Sequence, residues 1–396
     1  MEDKFMKLLF ASDSFKGTLS SEQTGKLLAD AAREVFGECE TEAVPVADGG
    51  EGTTRAVVKA RGGELERGFV HGPYMEAEPA IFGKIGTEEA VMEMASASGL
   101  PMVPEEKRDP RYTTSFGTGE LLKFILDTGC RRISIAIGGS ATNDGGIGFA
   151  RALGVRFLDA QGRELGGKRP DEPGYGGIGA DLIRVDRIDL SRIDPRIRDT
   201  EFTVMCDVTN PLTGPDGATR TFGAQKGASP VVIEALEQGM EHYRKVLIRE
   251  FGTDPNEIAG SGAAGGLGAA MCFFLQAKIR SGIETVLDLV KFDEKLENVD
   301  LVVTGEGRTD WQSAYGKVMQ GVGRRAKARG IPVIGLSGSL GQDYEKMYEH
   351  GIASLMTTVD APMSLVEAME HAEELYFRGA VRMFRMVKAG MALGHH

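Results

Sequence analysis

The sequence predicts an α/β protein, and three observations carry that prediction. An apolar run, a short polar loop and an amphipathic stretch follow one another twice near the start, at MKLLFA–SDSFKG–SSEQ and TEAVPV–ADGGEG–TTRAVV. The same rhythm returns after about residue 290, at LVVT–GEGRTD and PVIGL–SGS. Between them, residues 133–154 read ISIAIGGSATNDGGIGFARALG, a strand, a glycine-rich turn and a helix. Units of this kind build parallel sheets whose ligands lie at the carboxyl ends of the strands. The chain therefore reads as a discontinuous Rossmann- or flavodoxin-like domain, 1–69 plus 290–396, with a second α/β domain inserted at 70–289. The active site is expected in the cleft between the two.

Met6–Ala11 is a buried strand, and Ser12–Gly17 is the polar loop at its end. Ser20 and Gln23 have the spacing of a capping box opening the first helix. Thr41–Val46 is the second strand, followed by Asp48-Gly49-Gly50-Glu51-Gly52 and another helix. The pattern then changes. Phe69–Phe82 reads as short antiparallel strands around Gly72-Pro73, and Glu89–Ala95 as a further strand. A hydroxyl-rich loop, Thr113–Gly119, opens a helix at Glu120–Asp127. Gly162–Gly179 is a glycine- and proline-rich flap, and Phe202–Val208 is a strand ending at Asp207. Pro230–Phe251 is helical, and Gly260–Gly268 leads into an apolar helix at Ala269–Leu275.

Composition narrows the function. Of 396 residues 54 are glycine, clustered between apolar runs, which points to tight loops near ligands and not to disorder. A net charge of −12 with no basic block argues against a nucleic-acid partner. The four cysteines lie far apart with no C-x-x-C, so reduced thiols are expected and a zinc site is not. No apolar run is long enough to span a membrane, and the N-terminal stretch lacks the pattern of a secretory leader; the expected location is cytoplasmic, with a homo-oligomer open.

The candidate site residues are backbone amides, hydroxyls, lysines and carboxylates at strand ends. Gly138, Gly139 and Gly145 can aim bare N–H groups at a phosphate, with Ser140, Asn143 and Asp144 beside them; Asp144 could equally cap the following helix. Ser115, Gly117 and Thr118, with Lys16, could hold a carboxylate. Asp207 is placed to accept a proton, with Asn210 and Lys226 nearby in sequence; Asp48 and Asp13 are the other acids for that role. Glu306 and Asp310, flanking Arg308, form an acidic pair that suits Mg²⁺ beside a phosphate, or an ion pair with the arginine. Gly162–Lys168 fails as a phosphate loop because Arg169 follows. Gly260-x-Gly262-x-x-Gly265 matches a dinucleotide fingerprint, but after a poor strand. Anion cradles, lysines and acids without a covalent nucleophile suit phosphoryl transfer, which needs positioning and charge neutralisation above all.

Taken together, these boxes resemble the bacterial glycerate kinase family. They are SDSFKGTLSSEQ at 12–23, VPVADGGEGT at 44–53, TTSFGTGELL at 113–122 and IGGSATNDGGIGFARALG at 137–154. CDVTNPLTGPDGA at 206–218, FGAQKGA at 222–228, GSGAAGGLGAA at 260–270 and TGEGRTDWQS at 304–313 follow in the family's order. The family usually has proline where Ser12 and Ala224 stand and a small residue at Trp311. The resemblance implies ATP-dependent phosphorylation of D-glycerate with Mg²⁺, at the 2-hydroxyl. A nicotinamide-dependent hydroxy-acid dehydrogenase and a non-catalytic two-domain solute-binding protein are the alternatives from other classes.

Overall fold

The computed structural model describes residues 5–167, 175–314 and 316–393. The middle of the expected flap, 168–174, lies outside the described residues, as do Lys168 and Arg169 of the rejected phosphate loop. In chain order the strands are β1 (Lys7–Phe10), β2 (Glu40–Ala43), β3 (Glu64–His71), β4 (Ala77–Ile85) and β5 (Glu89–Glu93). They continue with β6 (Arg132–Ala136), β7 (Arg156–Leu158), β8 (Arg187–Asp189), β9 (Glu201–Met205) and β10 (Lys278–Arg280). The last five are β11 (Leu301–Thr304), β12 (Arg308–Thr309), β13 (Val333–Ser337), β14 (Ser339–Leu340) and β15 (Ile352–Thr357).

The chain divides into two compact units. One holds the residues up to Asp48, Lys59–Arg61 and everything from Gly282; the other holds Gly49–Val58 and Gly62–Ser281. These boundaries differ from cuts at 69/70 and 289/290. β3 pairs with β4 along its whole length, from Glu64↔Lys84 to His71↔Ala77, and so belongs to the second sheet. The Gly282–Leu289 helix packs its Ile283 against Gly321, within the first unit.

The first unit contains a fully parallel sheet in the order β15-β13-β11-β1-β2. β1 and β11 pair through Leu8↔Leu301 and Phe10↔Val303, although almost three hundred residues separate them in the chain. Leu8, Phe10, Leu301 and Val303 are buried, and Leu28 of the Ser21–Phe36 helix and Tyr376 and Phe384 of the Ala372–Leu393 helix close over them. The capping box forms: the Gln23 N–H donates to Ser20 Oγ at 3.2 Å and the Ser20 N–H to Gln23 Oε1 at 2.8 Å.

The second unit has a six-stranded sheet in the order β10-β9-β6-β5-β4-β3, antiparallel at the β3–β4–β5 end and parallel elsewhere. Its core is built around Met92, Ile133, Ile135, Phe149, Phe202 and Val204. A second cluster, with Phe157, Tyr243 and Phe274, lies against the Pro230–Phe251 helix. β7–β8 and β12–β14 are small two-stranded additions. The Ala263–Leu275 helix begins six residues earlier than expected, and Ala264, Gly265 and Gly266 within it have positive φ. Among the described residues no helix is long and apolar enough to cross a membrane.

Candidate active site

The sheet of the first unit has one topological switch point. From β1 the chain goes to β2 on one side, and the later strands β11, β13 and β15 are laid down on the other. The loops after β1 and β11 therefore diverge and leave a crevice at the carboxyl edge, the place where open parallel sheets bind ligands. In the second sheet neighbours follow chain order without reversal, and no such crevice arises.

Three strand-end loops are stitched together at that crevice. The Asp13 N–H donates to Gly305 O at 2.8 Å, and the Thr304 hydroxyl donates to Ala11 O at 2.7 Å. The Gly338 N–H donates to Glu306 O at 3.1 Å and the Ser339 N–H to Gly307 O at 3.2 Å. The glycines are dictated by these approaches: a β-carbon on Gly305 would lie 1.9 Å from Leu336 O, and one on Gly338 2.4 Å from Gly307 O. The loops open on a cavity of about 1050 Å³ whose lining includes Asp13, Lys16, Asp48, Glu306, Arg308 and Lys317.

Electrostatics mark that cavity. Burial, then the facing carboxylates of Asp48 and Glu306, push the Asp13 carboxyl up to about 7, against the Ser14 N–H and the Lys16 ammonium. Burial also raises Glu306, opposed by the Ser313 hydroxyl, by Lys317, whose Nζ is 4.0 Å from Glu306 Oε2, and by the Thr309 hydroxyl. A carboxyl raised by burial beside two other carboxylates marks a place short of positive charge, and a cation or phosphate-bound metal relieves that. The Asp310 carboxylate adds to the rise of Glu306 but does not itself line the cavity; its Oδ1 accepts from the Gln312 N–H at 2.9 Å, and Arg308 Nε lies 3.5 Å from its Oδ2. In the lining of the cavity Glu306 is joined by Asp13 and Asp48. Among the described residues no three His, Cys, Asp or Glu side chains are preassembled for a metal. Mg²⁺ does not demand that, since it keeps waters and takes one or two carboxylates plus substrate phosphates.

The glycine-rich loop of the second unit is mostly spoken for internally. Asp144 is fully buried, and its Oδ2 accepts from the Ser115 N–H at 2.8 Å and the Ser115 hydroxyl at 2.7 Å. The Gly146 and Gly148 N–H groups donate to the same carboxylate at 3.1 and 3.3 Å. Asp144 is therefore the anion that this turn and the start of the Phe116–Asp127 helix enclose. Burial nonetheless raises its carboxyl, with the Ser115 donors opposing. The Gly145 N–H donates to Gly265 O at 2.9 Å, and Asn143 Nδ2 donates to Thr219 Oγ1 at 3.0 Å. Thr118 Oγ1 donates to Ser98 Oγ at 2.9 Å, and a β-carbon on Gly117 would lie 1.8 Å from His71 O. Lys226 is buried and donates to Thr142 O at 2.6 Å; burial lowers it to about 7, with Asp144 pulling the other way. Asn210 Nδ2 donates to Asp216 O at 2.7 Å and braces its own loop. Ser115, Gly117, Thr118, Asn143, Asp144, Gly145, Asn210 and Lys226, expected to meet ligand, are occupied in holding the second unit together.

What remains of the expected cradle is Gly138, Gly139 and Ser140. Gly138 and Gly139 are exposed, and their N–H groups have no acceptor among the described residues. They lie just beyond the last β6–β9 rung, Ala136↔Met205. Asp207 is exposed two residues past the same rung on β9, and the Ser281 hydroxyl donates to its Oδ1 at 3.0 Å. The Gly260–Gly268 segment is a packing element: β-carbons on Gly262, Gly265 and Gly268 would lie 2.0–2.2 Å from the backbone oxygens of Pro211, Thr142 and Gly260.

Sequence reasoning missed Lys317, Ser339 and Tyr376 in the cavity. Lys317 follows Gly316 just before a helix, the signal given by Lys16 and Gly17, and could have been found. The other two depend on the folding back of β13 and the last helix.

Fold and site define a two-unit α/β protein with an acidic and cationic crevice at a sheet switch point, the equipment of an enzyme that handles phosphate. The glycerate kinase family model matches residues 8–388, and the chain belongs to that family and is a kinase. It is 44% identical over 376 residues to a glycerate kinase of Bacillus subtilis (strain 168), covering 95% of this chain and 96% of that one. It is 43% identical over 394 residues to a glycerate 2-kinase of Escherichia coli (strain K12), covering 98% and 99%. A crystal structure from Salmonella typhimurium LT2, described as a glycerate kinase 2, superposes with a TM-score of 0.86 at 41% identity, covering 98% of this chain and all of that one.

Proposed function

We propose that the chain transfers the γ-phosphoryl group of ATP to D-glycerate, at the 2-hydroxyl. The observation that carries this is the crevice of the first unit, where Asp13, Asp48 and Glu306 line one cavity with Lys16, Arg308 and Lys317. A triphosphate brings the anionic oxygens the cations need. Mg²⁺ answers the mutual repulsion of the acids, which would hold it together with the phosphates. Bound there, the metal would neutralise charge on the transferring group.

The acid's groups are assigned to the carboxyl edge of the second sheet. The N–H groups of Gly138 and Gly139 suit a small carboxylate, and Asp207 on the neighbouring strand suits the hydroxyl proton. Ser281 donates to Asp207 Oδ1 at 3.0 Å and so helps to fix the orientation of the carboxylate. The role assigned to Asp207 is orientation more than basicity, because a loose phosphoryl transfer releases that proton late. The 43% identity to a glycerate 2-kinase supports the choice of the 2-hydroxyl.

ADP release coupled to NADH oxidation tests the reading. ADP should form with ATP, Mg²⁺ and D-glycerate together and not when any one is omitted. Release with a different hydroxy acid but not with glycerate would overturn the substrate.

A further inference from the structure

The acids and cations are only part of the lining of the cavity in the first unit. Met363, Leu365, Ala368, Met369, Ala372 and Tyr376 add an apolar wall to it. Phosphoryl transfer makes no use of such a wall, and D-glycerate cannot fill it: each of its three carbons carries oxygen, leaving no apolar face to desolvate.

We propose that this wall is the nucleoside site, with the purine of ATP lying against the Leu365–Glu370 helix and its phosphates directed toward Lys16, Arg308 and Lys317. The proposal rests on the reading of the chain as an ATP-dependent kinase and locates the nucleotide within it. One cavity that offers both an apolar wall and three cationic side chains matches a ligand with a flat apolar base joined to a polyanion. The volume, about 1050 Å³, far exceeds what a three-carbon acid needs and lies at the upper end for small-molecule sites.

The helix itself is the second observation. Leu365, Val366 and Met369 are 76%, 66% and 42% exposed within a six-residue helix. An exposed apolar cluster on a soluble protein marks a surface that something covers, and two of these three side chains line the cavity. The wall is also tied to the Lys16 loop and braced from behind. A β-carbon on Gly17, next to Lys16, would lie 3.3 Å from Met369 Cε. Tyr376 stacks edge-on against Phe15 with ring centroids 5.1 Å apart. Arg382 Nη2 donates to Thr357 O at 3.3 Å and Thr358 O at 3.1 Å, fixing the chain where it leaves β15. Asp360, an acid of the same lining, is neutralised by Arg378 at 2.7 Å and Arg382 at 3.4 Å, so it does not repel a triphosphate.

The test uses the full chain with Ala368→Trp, which fills the wall, and Met369→Glu, which places a charge on it at an exposed position that a folded protein tolerates. Steady-state kinetics with each substrate varied, and calorimetry with ATP alone, are measured for both variants and the parent. In at least one folded variant the KM and Kd for ATP should rise about tenfold or more, with the KM for D-glycerate within about twofold of the parent. Unchanged ATP constants in every variant that folds, or a rise confined to the glycerate KM, would overturn the proposal and leave the kinase reading standing. A parent that binds ATP through this wall but does not phosphorylate glycerate would overturn the reading of the reaction and leave the nucleoside site in place.

Discussion

Asp144 and Ser115 are joined twice: the Ser115 amide and hydroxyl both donate to Asp144 Oδ2, at 2.8 and 2.7 Å, in a site with no exposure to solvent. The pair ties the glycine-rich turn after β6 to the helix that begins at Phe116. Replacing Asp144 with Ala strands the Ser115, Gly146 and Gly148 donors, and a buried donor left without its acceptor costs about 1–3 kcal/mol. Urea unfolding of Asp144→Ala should show that loss, while the protein that remains folded keeps the parent KM for ATP. Gly145→Val should behave alike, because φ at Gly145 is +60° and a β-carbon would lie 2.8 Å from the Tyr243 ring. A raised ATP KM at unchanged stability would restore this turn as a phosphate cradle.

Asp13 makes the first unit less stable as pH rises. Its carboxyl is held up at about 7 against an ordinary 3.8, so between those values the folded state binds a proton that the unfolded state has lost. The stability it contributes is complete below 3.8 and is lost as pH rises through 7. Asp13→Asn removes the charge that faces Asp48 and Glu306. In chelator, its melting temperature should exceed the parent's by clearly more at pH 8 than at pH 5, while activity falls. A gain of the same size at both pH values would show that the Asp13 carboxyl is not held up in this range.

Lys226 should act with the opposite slope. Buried and lowered to about 7 from 10.5, it is neutral in the folded protein over a range where the unfolded chain holds the proton, so stability rises with pH from 7 toward 10.5. Lys226→Met keeps most of the volume and removes the titration. The alkaline rise in the urea midpoint should flatten in this variant, and an unaltered rise would place the charge elsewhere.

These contrasts define what the sequence could and could not disclose. Strand–loop–helix order was legible because apolar runs and capping residues such as Ser20 and Gln23 act locally. The roles of glycines were not, because close approach to a ligand and close approach to another backbone demand the same residue. Gly138 and Gly139 are exposed, whereas Gly145, Gly146 and Gly148, a few positions on, face Tyr243, Ala270 and Thr114. Asp13 and Asp144 likewise read alike as strand-end acids, yet one lines a cavity and the other is sealed under Ser115. The switch point depends on β11 pairing with β1, a non-local choice that no window of sequence contains. The apolar wall had a local signal, Leu365, Val366 and Met369 in a short helix at the carboxyl edge, but its purpose shows only beside Lys16 and Gly17.

Asp207→Asn tests the acid edge of the second unit. The change keeps shape and the Ser281 hydrogen bond and removes the charge on the proposed proton acceptor. It should lower kcat by about 10²–10⁴ with calorimetric affinities for ATP and glycerate close to the parent's. A variant that keeps most of its kcat would remove Asp207 from the chemistry and pass the role to Asp48.

The most direct measurement is the proton-coupled ³¹P spectrum of the product made from ATP, Mg²⁺ and D-glycerate. A phosphate on the 2-oxygen sits on a carbon with one hydrogen and splits into a doublet; one on the 3-oxygen sits on a CH₂ and gives a triplet. The account predicts a doublet, growing in step with ADP. A triplet would contradict the assignment of the 2-hydroxyl, and ADP accompanied only by free inorganic phosphate would contradict transfer to glycerate itself.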